Sequence, residues 1–385
     1  MKKYLLILNP GSGSIKFAVF ELPKFLIKGQ TRPGQKVLDG AISLVGNKSV
    51  LVYRNKKINY QTGYNIKDWW SYLYELLKDF DIKFVGFRLV HGGGEFFETT
   101  LVSSAFLKNI KKYNHLAPLH NPVTLELMDL VKDSWPKVKM AVSFDTAWYH
   151  KLPAVAYLYS LPISYYQKYN IRKYGFHGLS HEAAADYAAK VLNRNIDKLK
   201  LITCHIGSGA SISWFMDGQV KDTSMGFSPN EGLTMSTRCG DLPPSVIFYL
   251  AKQLKLSLAD ISEIIDKKSG LLGLAGLADL RDVLLASGYK VSGYKNNFKF
   301  SKEQRQAAKL ALDIYIYDIS RYIASYLGMS KKIDAIVFTG PAAANNTIRG
   351  MILRGLQKPS GTKVILAPEG ELINIANKTI KCLSK

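Results

Sequence analysis

The sequence predicts an α/β protein built from two copies of one domain. Three observations carry this expectation. Both halves open with the same strand–turn–strand grammar, short apolar runs alternate with helical stretches elsewhere, and 385 residues suffice for two domains of roughly 100–200 residues. Hydrophobic residues make up 47% and charged residues 21%, an ordinary globular balance that excludes a wholly disordered chain.

The first hairpin occupies residues 4–22: YLLIL, then Asn9-Pro10-Gly11-Ser12-Gly13-Ser14, then IKFAVFEL. The second half repeats the pattern in LITCHIGSGASISWFMDG, residues 201–218. Laying Gly11-Ser12-Gly13 on Gly207-Ser208-Gly209 gives an offset of 196 residues, about half the chain, which is the signature of duplication. Each hairpin leads into a further β-rich stretch, residues 39–45 and 219–223. Residues 82–90, 138–144, 333–339 and 363–366 are short apolar runs of the kind buried strands show. Residues 180–192 are predicted helical with Ser180 as N-cap. Residues 301–327 form a second helix, with Ser301 and Gln304 in a capping-box pattern and an exit at Gly328. No low-complexity linker separates the halves, so the boundary is expected inside packed structure.

The charge needs sorting. Lys and Arg number 52 against 30 Asp and Glu, a formal net charge of +22. Such an excess suits nucleic acid, a membrane surface or anionic small molecules. The basic residues are scattered, however, with nothing denser than pairs such as Lys56-Lys57 and Lys111-Lys112, and only 11 are arginine. Arginine is the residue expected where phosphate or carboxylate is held bidentately, so the positions of those few matter more than the total. Neither a nucleic-acid nor a membrane partner is expected. No apolar run reaches the roughly 18 residues of a membrane span, and the stretch after Met1-Lys2-Lys3 is cut short at Asn9-Pro10-Gly11, too soon for a signal peptide. Cys204, Cys239 and Cys382 show no CxxC spacing, which excludes a disulfide framework and a cysteine zinc site. A cytoplasmic location is expected.

The turn at residues 9–16 offers backbone amides, the hydroxyls of Ser12 and Ser14 and the cation Lys16. Glycines allow close backbone approach, and successive N–H groups form an anion nest. It is not a Walker loop, since no Gly-Lys-Ser/Thr opens a helix afterwards. Alone it also fits an ordinary hairpin turn; the second copy at residues 205–210 favours a pair of related anion-facing turns. Five more segments mix glycine, histidine, arginine and carboxylate: FRLVHGGGEF (87–96), APLHNP (117–122), SFDTAW (143–148), YGFHGLSH (174–181) and DTSMGFSPNEGLTMSTRCGD (222–241). Five of the seven histidines, His91, His120, His177, His181 and His205, fall in these segments or the second turn. His177 and His181 stand four apart, yet no HExxH glutamate or third ligand accompanies them. His181 and His205 equally suit hydrogen-bonded structural roles.

These blocks, in this order, resemble the acetate kinase family of the acetate/sugar kinase–Hsp70–actin superfamily. The family's opening Asn-x-Gly-Ser-x-Ser-x-Lys is matched by Asn9, Gly11, Ser12, Ser14 and Lys16. YGFHGLSH differs from the usual YGFHGTSH only at Leu179, and SGLLGLAGLADLRD (269–282) matches a further block with Ala278 where serine is usual. The resemblance runs from residue 5 to about 376. It implies two duplicated actin-like, ribonuclease H-like ATPase domains, each a five-stranded mixed sheet with flanking helices. Residues 1–144 with about 372–385 would form one, residues 145–371 the other, with the active site in the cleft between them and a homodimer as the assembly. It implies reversible transfer of the ATP γ-phosphoryl group to acetate, giving acetyl phosphate and ADP, with magnesium or manganese.

By the same resemblance, Arg88 and Arg238 hold the carboxylate and the moving phosphoryl group, whose three equatorial oxygens suit guanidinium forks. His177 donates to the phosphoryl oxygens and His120 lines the site. Acetate is already ionised at neutral pH and needs no general base, so Asp145 is expected to position the metal and the arginines. Asn9 and Glu371 are the implied metal contacts, with Glu369 the alternative in a locally ambiguous register. Val90, Leu119, Phe176 and Pro229 would form the methyl pocket. Nucleotide contacts would come from Ser12, Ser14 and Lys16, from His205, Ile206, Gly207, Ser208 and Gly209, and from Asp279, Leu280 and Arg281. The last group is Gly340, Pro341, Ala342, Ala343, Ala344 and Asn345.

That last turn is where the chain departs most. The family's Gly-Gly-Ile-Gly-Glu-Asn has become Gly340-Pro341-Ala342-Ala343-Ala344-Asn345. Cβ atoms on Pro341 and Ala343 are expected to crowd adenosine and to penalise any positive φ. Ser208 replaces the usual asparagine of the second turn, and Trp148-Tyr149 the usual Phe-His. An active kinase with altered nucleotide selectivity is expected. A propionate or butyrate kinase, or a catalytically silent nucleotide-binding relative, stands as the alternative.

Overall fold

Each half of the chain begins with a β-hairpin because each begins with two apolar runs around a Gly/Ser turn. In the computed structural model, which describes residues 2–11, 13–23 and 32–384, β1 (Tyr4–Pro10) pairs antiparallel with β2 (Ser14–Glu21). Further on are β3 (Lys36–Val45), β4 (Lys48–Tyr53), β5 (Lys56–Tyr60), β6 (Ile82–Leu89), β7 (Thr100–Leu101) and β8 (Lys139–Phe144). The second hairpin is β9 (Lys200–Ile206) and β10 (Ala210–Met216), followed by β11 (Gln219–Thr223), β12 (Ala335–Thr339) and β13 (Lys363–Leu366). The chain divides into two compact units, Met1–His150 with Gly370–Lys385, and Lys151–Glu369.

The first sheet runs β5-β4-β3-β2-β1-β6-β8-β7 and the second β11-β10-β9-β12-β13. Within them, β3-β2-β1-β6-β8 repeats the order and strand directions of β11-β10-β9-β12-β13: two antiparallel neighbours on one side, two parallel ones on the other. Among the described residues the first sheet therefore has eight strands where five were expected. The cause is local. Gly46 turns β3 into β4 at φ 60°, and Arg54 and Asn55 turn β4 into β5 at φ 43° and 63°, the twist that two-residue hairpins favour. Registers agree as well: Leu8 pairs with Phe87 and Cys204 with Phe338, so Asn9 corresponds to His205 and Arg88 to Thr339. The pair Pro10–Ile15 closes the first turn and Ile206–Ala210 the second, leaving the second loop one residue shorter.

Leu5 to Leu8 are all fully buried, because the first sheet is covered on both faces. Leu6 and Leu8 join Trp69, Leu73, Leu127, Met128 and Val131 in one apolar cluster, fed by the helices Ile66–Leu77 and Asn121–Ser134. On the other face lies the helix Glu371–Leu383, with Ile375, Ala376 and Ile380 buried. Gly86 makes that approach possible: a Cβ there would stand 2.3 Å from Thr379 Oγ1 and 2.7 Å from Ile7 Cδ1.

The helix expected from Ser180 begins earlier, as Gly178–Leu192, and its N-cap is His177 in the left-handed region, φ 56°. Ser180 lies in its first turn, with its hydroxyl against His205 Nδ1 at 2.8 Å. The long helix is Lys302–Gly328, so Gly328 ends inside it rather than beyond it. Ser301 caps it, accepting from Gln304 N at 3.2 Å while donating to Glu303 Oε2 at 2.8 Å. The C-terminal helix packs only where Gly86 leaves space. Gly86→Ala is therefore expected to destabilise the protein by about 1–3 kcal/mol through overpacking, read as a lowered urea midpoint at unchanged slope.

Candidate active site

In parallel α/β sheets, ligands gather at the carboxyl ends of central strands. Here those ends carry Asn9 on β1, Arg88 on β6 and Asp145 just past β8. Arg88 donates from Nε to Asp145 Oδ2 at 2.9 Å and from Nη2 to the same oxygen. Its Nη1 donates to Asn9 Oδ1 and Pro10 O, each at 3.3 Å. Asn9 Nδ2 donates in turn to Glu371 Oε2 at 2.8 Å. Asp145 is only 1% exposed. Burial alone would lower the Arg88 pKa, but the Asp145 charge and hydrogen bond, with the Glu371 charge, outweigh it and leave the guanidinium held more firmly protonated. Glu371 opens its helix, where the dipole favours a carboxylate; Glu369 is exposed.

Lys16 pairs with Asn9 across β1 and β2, and Ser14 O accepts from Gly11 N at 2.7 Å. Ser12 lies outside the described residues. Val90 is buried and Leu119 is 43% exposed. His120 caps the helix Asn121–Ser134 through its backbone. His91 is a core histidine: Asn121 bonds its backbone on both sides, and its Nδ1 accepts from Gly93 N at 2.9 Å. Burial pushes its pKa down to about 3.

The second unit groups its polar residues on one sheet face. Side chains two apart on a strand share a face, so Thr203 and His205 of β9 stand beside Ser213 and Ser211 of β10, their cross-strand partners. The helix Gly178–Leu192 covers them. His181 Nδ1 lies 2.8 Å from Thr203 Oγ1 and its Nε2 2.8 Å from Ser211 Oγ. Ser211 Oγ also lies 2.9 Å from His177 Nδ1, and the His177 and His205 rings stack with centroids 4.3 Å apart. Burial drives the His181 pKa well below the usual imidazole value. A Cβ added to Gly209 would sit 3.1 Å from His177 Nε2 and 3.5 Å from Arg238 Nη1, so this glycine keeps the space beside both groups open. Arg238 is oriented by Nη1 donating to Pro229 O at 3.2 Å. Phe176 is buried, and Pro229 half-buried.

The Gly340 turn differs from expectation. Gly340 takes φ 91° and presses on β9, where a Cβ would come within 2.7 Å of Ile206 O; the one glycine that the backbone requires is thus retained. Pro341–Ala344 forms a 3₁₀ turn in which Ala343 is fully buried. Its Cβ therefore lies in the core, where no adenosine would meet it, and no positive φ is imposed on it. Pro341 packs over Gly207, with its Cδ 3.3 Å from where a Cβ would stand. Asn345 Oδ1 caps the following helix, accepting from Thr347 N and Ile348 N at 2.9 and 3.2 Å. Asp279 caps the helix Leu280–Ala286 and takes two bonds from Arg281 Nε at 3.0 and 3.1 Å. The Arg281 guanidinium lies 4.2 Å over the Tyr294 ring. Ser208 is exposed at the tip of its turn, with Ile206 buried below.

Thr203, Ser211 and Ser213 are the residues that sequence reasoning missed. The signal was available: polar residues two apart in strands whose apolar content says they are buried.

The Acetokinase family model matches residues 4–364. Acetate kinase of Clostridium novyi is 35% identical over 399 aligned residues, spanning 99% of this chain and 94% of that protein. Among solved structures, a propionate kinase from Francisella tularensis superposes with a TM-score of 0.84 at 31% identity, covering 98% of this chain and 99% of that one. Acetate kinase of Porphyromonas gingivalis gives 0.82 at 31% identity, covering 99% and 100%.

The two buried neutral histidines set an acid limit. Their folded pKa values lie below the unfolded value near 6.5, so below that pH the unfolded chain binds protons that the folded chain refuses. Stability is expected to fall as pH drops from about 7 to 5, by up to about 1.4 kcal/mol per pH unit for each histidine, measured as urea midpoints across that range. A flat profile in His91→Phe and His181→Phe variants would identify these two as the source.

Proposed function

Since the chain belongs to the acetokinase family, whose members are phosphotransferases with a carboxyl acceptor, we propose that it transfers the γ-phosphoryl group of ATP reversibly to acetate. A carboxylate oxygen attacks phosphorus, the bond from phosphorus to the bridging oxygen breaks, and ADP leaves with that electron pair. The observation that carries this reading is Arg88. Its four bonds to Asp145, Asn9 and Pro10 use four of five guanidinium N–H groups, leaving, among the described residues, one Nη2–H for an incoming anion. Asp145 acts as the fixed counter-charge that aims Arg88, since acetate needs no base.

In this reading, the second unit supplies Arg238 and His177, which share the space beside Gly209 and neutralise the phosphoryl oxygens as charge redistributes. Catalysis is then positioning plus preorganised charge. The nucleotide would be held by the amides of the Gly207 turn with Lys16, Ser12 and Ser14, and by Asp279, Arg281 and the Gly340 turn. Pro341 over Gly207 makes the nucleotide end of this chain its own, and altered selectivity among nucleotides follows. Val90, Leu119, Phe176 and Pro229 would meet the methyl group, with His120 beside them. An added methylene costs such a pocket only about 1–3 kcal/mol, so propionate is a second substrate.

Magnesium fits the donors at hand. Asn9, Glu371 and Asp145 offer hard oxygens within one hydrogen-bonded group, and magnesium favours one or two carboxylates plus substrate phosphates. No cluster of three His, Cys, Asp or Glu among the described residues could hold a metal alone. Asn9 and Glu371 would hold the ion, which supplies charge neutralisation to the phosphates when bound. ATP as co-substrate supports a cytoplasmic location.

We also propose a homodimer. Val155, Leu161, Ile163, Phe248, Tyr249 and Leu258 of the second unit are 53–94% exposed, large apolar side chains of the kind that a second copy would cover. Light scattering is expected to give twice the 43.0 kDa chain mass.

Purified protein with Mg²⁺, acetate and ATP is expected to form acetyl phosphate, trapped as hydroxamate, and to stop on addition of EDTA. ATP binding by calorimetry without any product would instead establish a silent relative. Arg238→Ala is expected to lower kcat by roughly 10²–10³-fold; near-normal turnover would remove it from the site. Kinetics across ATP, GTP, ADP and pyrophosphate with acetate and propionate define the selectivity.

A further inference from the structure

One phenol bridges the loop that leads to Arg238. Tyr159 lies between the short helices Ala154–Tyr157 and Ile163–Tyr169, and its hydroxyl reaches the chain at residues 226–231. The backbone N–H of Phe227 donates to Tyr159 Oη at 2.7 Å. The single phenolic proton is given to Glu231 Oε2 at 2.5 Å. Burial, joined by the Glu231 hydrogen bond and charge, holds that proton in place far above the usual phenol range. Tyr159 therefore ties Phe227 to Glu231, with Pro229 midway between them.

The backbone is shaped for this bridge. A Cβ on Gly226 would stand 1.6 Å from Glu231 Oε2 and 2.3 Å from Tyr159 Oη, so the carboxylate and the phenol occupy space that only glycine leaves. Gly226 O accepts from Tyr174 N and Gly175 N at 2.9 and 3.3 Å, joining the loop to the segment that runs into Phe176 and His177. Pro229 O accepts from Arg238 Nη1 at 3.2 Å. Beyond Glu231 the chain is anchored separately. Gly232 N donates to Asp241 Oδ1 at 2.9 Å, Thr234 N to Asp318 Oδ2 at 3.2 Å, and the Tyr322 hydroxyl to Asp241 Oδ2 at 2.8 Å. Asp318 and Tyr322 both belong to the long helix Lys302–Gly328. The backbone on the approach to Arg238 is thus held by that helix, while the loop that presents the Pro229 carbonyl is closed by the phenol.

We propose that Tyr159 is a positioning residue whose hydroxyl, by bridging Phe227 and Glu231, holds Pro229 where its carbonyl aims Arg238 and its ring bounds the acyl pocket. The catalytic consequence rests on the roles of Arg238 and Pro229 under the proposed function; the bridge itself does not. The test therefore reads both, on the whole chain, in Tyr159→Phe, which removes one oxygen, and in Glu231→Ala and Glu231→Gln.

Hydrogen exchange followed by mass spectrometry is expected to be faster at residues 226–231 in Tyr159→Phe and unchanged at residues 232–241. Alongside, kcat for acetyl phosphate formation should fall roughly tenfold or more. The ratio of kcat/KM for propionate to that for acetate should rise roughly threefold or more, because a loosened Pro229 discriminates less against the added methylene. Glu231→Ala should reproduce these changes, and Glu231→Gln, which keeps an oxygen for the phenol, should recover the parent values. A merely structural loss would lower the urea midpoint and leave the substrate ratio where it was. Unchanged exchange at residues 226–231 in Tyr159→Phe overturns the bridge. Faster exchange with kcat and the ratio at parent values, while Arg238→Ala abolishes turnover, overturns the positioning role and leaves the proposed function intact. The same pattern with Arg238→Ala near normal overturns both.

Discussion

The ion pair of Arg88 and Asp145 is the constraint around which the first unit is arranged. A carboxylate this deeply buried is tolerable only with a cation on it, and removing one partner from such a pair typically costs about 3–5 kcal/mol. Because Arg88 sits on β6 and Asp145 follows β8, its parallel neighbour, the pair also fixes the level at which the two strands end. Asn9 on β1 joins from the other side, and its amide then meets Glu371. Each bond limits the freedom of the next, so the Arg88 guanidinium is aimed by secondary structure rather than by a flexible side chain. Preorganisation of that sort is what electrostatic catalysis requires.

The duplicated topology shows what divergence can do with one framework. Equivalent positions carry Asn9 and His205, and again Arg88 and Thr339. In the first copy these strand ends hold charge, and the sheet answers with a buried carboxylate. In the second they hold His205 and Thr339, and the sheet answers with a stripe of serines and threonines packed against His177 and His181. The arginine of the second unit comes instead from a loop, steadied by the Pro229 carbonyl.

Much of this was legible in the sequence, for identifiable reasons. Hairpins around Gly11 and Gly207 are short-range features, and the strands at residues 82–89 and 335–339 announce themselves by continuous burial. Arginine scarcity made each arginine position informative, and it was the family resemblance that singled out Arg88 and Arg238. Harder were features decided by tertiary contact. Ser180 has every local property of an N-cap, but its hydroxyl is taken by His205, and the helix begins at His177 in a conformation few side chains adopt. Two of the additional strands of the first sheet follow turns with positive φ, at Gly46 and at Arg54 and Asn55, the last two not glycine. The Gly340 turn looked more damaged than it is. Only one of its positions needs a glycine, and the alanine expected to obstruct a ligand is turned into the core. Glu369 and Glu371 flank the same glycine, which leaves the sequence register ambiguous; in the fold it is Glu371 whose carboxylate accepts from Asn9.

The first unit is discontinuous, and this dictates an order of assembly during synthesis. Asn9 and its partner Glu371 are separated by 362 positions, with the whole of the second unit emerging from the ribosome between them. While the nascent chain grows, the face of the first sheet around Ile7 and Gly86 waits for a helix not yet made. The second unit, Lys151–Glu369, has all its strands in hand before that helix appears, so the usual amino-to-carboxyl order of domain completion is reversed. The strand carrying Asn9 is thus among the last elements to be enclosed, and Glu371 reaches Asn9 only once the rest of the fold is in place.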